Sequence, residues 1–135
     1  MHDFNLQPGG YVLSTGADLV DVERIRQAHE RQQERFLNRI FTEAEQEYCF
    51  RMKNPYPHLA ARFAAKEAIS KAFTTGIGRW LGWKSMGIVH GERMEPLVEL
   101  DDQARALLQR LGGSSVRISL SHTASQAFAV ALLLK

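Results

Sequence analysis

The stretch that decides the fold is Arg62-Phe63-Ala64-Ala65-Lys66-Glu67-Ala68-Ile69-Ser70-Lys71-Ala72-Phe73, RFAAKEAISKAF. It holds no breaker and no β-branched run, so a helix is predicted from about Leu59 to Thr74, ending at the permissive Gly76-Ile77-Gly78. Four charges interrupt it, whereas an ordinary amphipathic helix gathers its charges on one solvated stripe. Ala64, Ala65, Ala68 and Ala72 make a small-residue face that lets a neighbouring element come close. With Phe63 at the origin of a helical wheel, Glu67 and Lys71 fall within about 40° of each other. They are either an exposed ion pair at i and i+4, worth about 0.3 kcal/mol, or groups drawn inward to do chemistry. Lys66 enters neither arrangement and is expected on the solvated surface.

Working outward, residues 11–22, YVLSTGADLVDV, are apolar in both phases of a strand, with Val12, Val20 and Val22 in one and Leu13, Ala17 and Leu19 in the other. That pattern predicts a strand covered on both sides. Asp18 shares the first phase, and a carboxylate placed among apolar residues is costly unless it is paired or bound to a cation. A strand Asp and a helix Glu that converge would form an all-oxygen site, the usual way to hold Mg²⁺ while leaving positions for water and substrate phosphates. Lys71 would stand beside it as a point charge for a phosphate. The histidines at 2, 29, 58, 90 and 122 show no ligand spacing, and Cys49 is the only cysteine, which argues against a cysteine–histidine metal site.

The remaining chain reads as alternating punctuation and pattern. One helix should follow the first strand through about residue 40, and Thr42-Glu43-Ala44-Glu45 is a capping box opening another that carries Tyr48 and Phe50. The two prolines of KNPYPH, residues 53–58, break the chain before the central helix. GWKSMGIVH and PLVELD read as strands paired across GERME. Asp101 or Asp102 caps a short helix whose Ala104, Leu107, Leu108 and Leu111 share a face until Gly112-Gly113. VRISLS and QAFAVALLLK flank the connection HTAS. The sum is an α+β fold with a mainly antiparallel sheet packed on a long central helix. Where the penultimate strand ends, Ser119-Leu120-Ser121-His122-Thr123 offers hydroxyls, turn amides and an imidazole, which hold a phosphate or pass a proton, or else serve ordinary turn chemistry.

A chain of 135 residues, 44% hydrophobic and 24% charged, is expected to form one domain over 1–135, with residues 1–10 as a loose N-terminal extension. No apolar run approaches the roughly 20 residues of a membrane span. The start MHDFNLQPGGYVLS lacks the basic-then-apolar layout of a secretory signal, and a single cysteine suits a reducing compartment, so a cytoplasmic protein is expected. The net charge of +2 does not argue for nucleic acid. Its distribution is more informative: Arg24, Arg26, Arg31, Arg35 and Arg39 face only Glu30 and Glu34. Such a cationic surface suits an acidic partner, and equally an ordinary solvated helix face.

Three stretches in this order, GADLVDVERI at 16–25, RFAAKEAISKAF at 62–73 and SLSHTASQAFAVA at 119–131, resemble the holo-acyl-carrier-protein synthases, the small-chain 4'-phosphopantetheinyl transferases. The resemblance implies transfer of the phosphopantetheine arm of coenzyme A to a serine of apo-acyl carrier protein, releasing adenosine 3',5'-bisphosphate, a step in fatty acid biosynthesis. It implies the transferase-like fold, catalysis by Asp18, Glu67 and Lys71, and Mg²⁺ on Asp18 and Glu67. Arg62, Lys71, Gly76, Ser121, His122 and Thr123 would contact coenzyme A, the last three at its nucleotide end. Arg24, Arg31 and Arg35 would dock the acidic carrier protein, and the site would lie between subunits of a homotrimer. Neither nucleic acid nor membrane is then a partner. The acceptor of the serine proton stays open between Glu67, a metal-bound water and another carboxylate. The chain departs from the family pattern twice: Thr74-Thr75-Gly76-Ile77 replaces the usual Gly-Thr-Gly-Ile, and Met94-Glu95-Pro96 replaces a Gly-Lys-Pro type of turn. The competing expectation, from a different class, is a non-catalytic module that binds an acidic protein or nucleic acid through the Arg24 to Arg39 face.

Overall fold

Alternation builds the sheet. In the computed structural model, which describes residues 11–135, strand β5 (Gln126–Leu134) buries Ala127, Ala129, Ala131 and Leu133 and turns the residues between them the other way. It is the middle strand of three, flanked antiparallel by β1 (Val12–Asp21) and β4 (Ser115–His122) in the order β1-β5-β4. The expected extension over residues 1–10 lies outside the described residues. Across the inner face of this sheet runs helix α4 (Tyr56–Ala72), whose Ala64, Ala65, Ala68 and Ala72 are buried as the small-residue face requires. Gly16 is the point of closest approach: a Cβ there would lie 2.0 Å from the Ala68 carbonyl oxygen. Only a glycine lets β1 lie this close to the helix.

Between β1 and α4 come α1 (Val22–Gln32), α2 (Glu34–Ile40) and α3 (Glu43–Phe50). The single helix expected through residue 40 is therefore two, because Gln33 adopts φ 53°, which no α-helix continues through. The capping box is present: the Thr42 hydroxyl accepts from the Glu45 amide, and the Glu45 carboxylate accepts from the Thr42 amide. The central helix begins three residues earlier than predicted. Pro57 sits in its first turn, where a missing N–H removes no helical bond. After a 3₁₀ turn at Trp83–Ser85, β2 (Met86–His90) and β3 (Pro96–Leu100) form an antiparallel pair, and Asp101 caps α5 (Asp102–Arg110) by accepting from the Ala104 amide at 2.8 Å. Ala104, Leu107 and Leu108 are buried, but Leu111 falls at the C-cap and is 40% exposed.

Three expectations are corrected. The first strand is covered on one face only: Val20 is buried against the core, while Leu19 on the opposite face is 59% exposed and lies beside Phe128, 44% exposed, its partner on β5. Val12 leaves the phase of Val20 because a bulge intervenes between Val12 and Ser14. Lys66, expected in solvent, is wholly buried. Its ammonium meets Glu45 Oε1 at 2.7 Å and donates to the carbonyls of Ile40 at 2.7 Å and Trp83 at 3.0 Å, while Glu45 Oε2 accepts from the Ile88 amide at 2.8 Å. One charge pair thus ties α2, α3, α4, the 3₁₀ turn and β2 together. Burial lowers the Lys66 pKa, and Glu45 opposes that shift.

The two departures from the family pattern coincide with backbone of left-handed conformation, Thr74 at φ 67° and Met94 at φ 63°. Glycine enters this region freely, whereas a β-branched residue is strained there.

Two outcomes follow for stability. Replacing Lys66 by Met strands the Glu45 carboxylate in the core and should destabilise the fold by about 3 kcal/mol or more in denaturant titrations, whereas Lys71→Met, which removes a half-exposed pair, should cost about 0.5 kcal/mol. Thr74→Gly should stabilise by about 1 kcal/mol through relief of backbone strain, read as a higher thermal midpoint.

Candidate active site

The close packing at Gly16 turns the inner face of β1 onto α4, and Asp18 lies on that face between Gly16 and Val20. The Lys71 ammonium, reaching from the last turn of α4, donates to Asp18 Oδ1 at 3.1 Å and to the Ala17 carbonyl at 2.9 Å. Lys71 keeps 53% of its side chain exposed and Asp18 keeps 19%, so the pair sits at the mouth of the β1–α4 contact. Glu67, one turn before Lys71, is half-buried beside them. Burial raises its pKa first and the Asp18 charge raises it further, while Lys71 and Arg24 oppose the shift. Three of the sequence-predicted residues therefore converge from elements some 50 positions apart.

Arg24, expected on the carrier-docking surface, belongs to the field of Glu67 and lies with its guanidinium 6.0 Å from the Phe63 ring. Arg31 and Arg35 are exposed on α1 and α2. Arg26 is occupied by Glu23 and Glu30, so among the described residues the cationic surface free of ion pairs consists of Arg24, Arg31, Arg35 and Arg39. Gly76 adopts φ 68° and its amide donates to the Ser70 carbonyl at 3.2 Å, folding the chain back over the C-terminal end of α4 close to Lys71.

The Ser121-His122-Thr123 triplet does not present its side chains to one face. Strand alternation sends Ser121, opposite Phe128, to the outer face and His122, opposite Ala127, to the inner one. The Thr123 hydroxyl accepts from the Ser125 and Gln126 amides at 3.2 and 3.1 Å and is engaged in its own turn. His122 instead joins a second cluster. Its ring is 5.0 Å from that of His58, and Tyr48 lies 6.2 Å from His58 and 4.5 Å from His90. Arg62 lies beneath this group, 3% exposed, with its guanidinium 4.4 Å from the Tyr48 ring and Nη1 donating to the His58 carbonyl at 3.1 Å. Nothing in the local sequence signalled Tyr48, His58 or His90, because they arrive from α3, α4 and β2 and share no spacing.

What the Asp18, Glu67 and Lys71 group can do follows from its charges. Two carboxylates whose repulsion is only partly met by Lys71 and Arg24 favour an added cation, and an all-oxygen pair suits a hard one such as Mg²⁺. Among the described residues no third His, Cys, Asp or Glu joins them, so most of the coordination positions would be left to water and substrate. Because the folded state raises the Glu67 pKa, it binds that proton more tightly than the unfolded chain does. The ionised carboxylate therefore costs stability at pH above the folded pKa, and the cost vanishes below the ordinary carboxylate range. Glu67→Gln should accordingly raise the thermal midpoint of the metal-free protein at pH 8, with the gain fading by about pH 4.

A model of the 4'-phosphopantetheinyl transferase superfamily matches residues 14–132. A curated relative from Chlamydia felis, a holo-[acyl-carrier-protein] synthase, is 46% identical over 119 residues, covering 88% of this chain and 94% of its own. The crystal structure of holo-[acyl-carrier-protein] synthase from Neisseria meningitidis has a TM-score of 0.86 at 30% identity, covering 93% of this chain and 100% of that one. The Helicobacter pylori holo-[acyl-carrier-protein] synthase in complex with coenzyme A has a TM-score of 0.78 at 31% identity, over 88% and 98%. With the family's fold extending over all but the ends of the described residues, and its motif residues meeting where β1 crosses α4, the chain belongs to the 4'-phosphopantetheinyl transferase superfamily.

Proposed function

We propose that this chain is a holo-acyl-carrier-protein synthase: it transfers the 4'-phosphopantetheine arm of coenzyme A to a serine of apo-acyl carrier protein with Mg²⁺ held by Asp18 and Glu67. The observation that carries the reading is the convergence of Asp18, Glu67 and Lys71 in a chain of this family. The serine hydroxyl gives its proton to a carboxylate or a water at the site as its oxygen forms a bond to the β-phosphorus of coenzyme A, the bond from that phosphorus to the bridging oxygen breaks, and adenosine 3',5'-bisphosphate leaves with that oxygen. Mg²⁺, when bound, supplies Lewis-acid neutralisation of the diphosphate charge.

The chain's own residues set the geometry. Lys71, anchored to the Ala17 carbonyl, places its remaining N–H at the site mouth for a phosphate oxygen, where charge grows in the transition state. Arg24 adds a second positive charge near Glu67 and, with Lys71, opposes the rise that burial and Asp18 impose on that carboxyl's pKa. The turn at Gly76 carries backbone close to the C-terminal end of α4, and Ser121, His122 and Thr123 are assigned to the nucleotide end. Arg31 and Arg35, with Arg24, offer an acidic carrier protein a cationic approach whose effect weakens with salt.

A homotrimer with sites between subunits accompanies this reading. Its support is the outer sheet face, where Leu19 and Phe128 lie exposed side by side, an apolar surface of the kind subunits cover. No helix among the described residues is long and apolar enough to cross a membrane, in line with action in the cytoplasm on a dissolved carrier protein. Membership in a transferase family sets aside the non-catalytic binding module, since coenzyme A has no part in it.

Incubating the protein with apo-acyl carrier protein, coenzyme A and Mg²⁺ should add the mass of one phosphopantetheine arm to the carrier by mass spectrometry. Asp18→Ala and Glu67→Ala should each lower the rate by about 10²-fold or more while retaining the folded circular dichroism spectrum. Full transfer by either variant removes the metal assignment, and no mass gain with several carriers removes the activity.

A further inference from the structure

The turn that follows the central helix presents an aromatic ring with two cations stacked against it. The Gly78 amide donates to the Leu81 carbonyl at 3.0 Å, and the turn so closed puts Arg79 and Trp80 at its tip. The Gln103 side-chain amide fixes that tip to α5 by donating to the Arg79 carbonyl at 3.2 Å. Trp80 is 47% exposed, and its ring carries the guanidinium of Arg79 at 5.2 Å and that of Arg110, the last residue of α5, at 5.7 Å. Among the described residues no carboxylate pairs with Arg79, Arg110 or the exposed Lys84. The acids at the start of α5 are engaged elsewhere, since Asp101 caps the helix and Asp102 holds Arg105. Leu111, which follows Arg110, is exposed as well. Stacking on the indole orders the two cations without neutralising them, so the patch keeps both its charge and its apolar surface.

We propose that Arg79, Trp80 and Arg110 form a second docking contact for the acidic carrier protein, with the indole as apolar anchor and the two guanidiniums holding carboxylates beside it. The assignment rests on the transferase reading and extends the cationic approach already given to α1 and α2. Ring contacts lead from that approach into the turn: the Arg24 guanidinium lies 6.0 Å from the Phe63 ring, and Phe63 stacks on Trp83 at 5.1 Å, two residues beyond Leu81. The Trp83 carbonyl accepts from Lys66, which ties this end of the segment to the helix that carries Glu67 and Lys71. Tryptophan and arginine dominate protein interfaces because they combine a broad apolar area with fixed donors. Here the guanidiniums are ordered in advance, which lowers the entropy lost on docking. An acidic partner supplies the carboxylates that the chain itself does not bring to these cations. A nucleotide would need a concave site with polar groups turned into it, whereas these side chains stand on a turn tip and a helix end.

The test is the initial rate of phosphopantetheine transfer by the full-length protein with Mg²⁺, read by mass spectrometry. Apo-carrier protein is varied at saturating coenzyme A, and coenzyme A at saturating carrier. Trp80→Ala should raise the KM for the carrier about tenfold, and Arg79→Gln combined with Arg110→Gln about fivefold with a shallower dependence on salt. The KM for coenzyme A and kcat should stay unchanged in both. Trp80→Phe, which keeps a ring at the tip, should recover most of the loss. Thermal melts report folding, and the doubly substituted arginine variant carries the test should Trp80→Ala fail to fold. An unchanged KM for the carrier in the folded variants overturns the contact. A raised KM for coenzyme A assigns the patch to the nucleotide and overturns it equally, and in both cases the transferase reading stands. No mass gain by the unaltered protein with several carriers removes that reading and the docking contact with it.

Discussion

Everything in the site depends on how closely β1 lies on α4. At Gly16 the strand backbone comes so near the Ala68 carbonyl that no side chain could be added, and the alanines of α4 make room along the rest of the contact. This short separation brings a strand carboxylate, Asp18, within hydrogen-bond reach of a helix ammonium, Lys71, and within the field of Glu67. A bulkier pair of surfaces would have kept the three apart. The small residues are what lets the strand and helix groups meet.

The same helix shows how environment, not residue type, assigns a lysine its task. Lys66 is wholly buried, bonded to Glu45 and two carbonyls, and holds five elements in register. Lys71, little more than a turn later, is half exposed and bonded to Asp18 and one carbonyl. The first has no bonding capacity left for a ligand; the second does. The pair and its hydrogen bonds join α4 to α2, α3, the 3₁₀ turn and β2. Glu67 carries the opposite balance: burial and the neighbouring Asp18 charge disfavour its ionised form.

The two clusters occupy different ends of the helix. Nine residues separate His58 from Glu67, about 14 Å along an α-helix, and among the described residues no hydrogen bond or ion pair links the two groups. Each is built by long-range contacts onto α4, which acts as a common ruler for both. The left-handed residues Thr74 and Met94 lie in the loops that follow α4 and β2, so the chain carries its backbone strain outside the sheet and the central helix.

Composition, periodicity and capping determined most of the local structure by themselves. The capping box at Thr42 and Glu45, the paired strands across the Gly91 turn, the final hairpin and the alanine face of α4 were all readable, because each depends on residues a few positions apart. Asp18 and Glu67 could also be singled out, since a charge in an apolar pattern is visible in one dimension. Other features were decided only in three dimensions. Lys66 looked solvated because its partner stands on another helix and its two carbonyls on further segments, and no spacing records such a bond. Ser121 and His122 looked like one group until the strand's alternation put them on opposite faces. Tyr48, His58 and His90 gave no signal at all, for a cluster assembled from α4, β2 and β4 around α3 exists only once hydrophobic burial has brought those elements together.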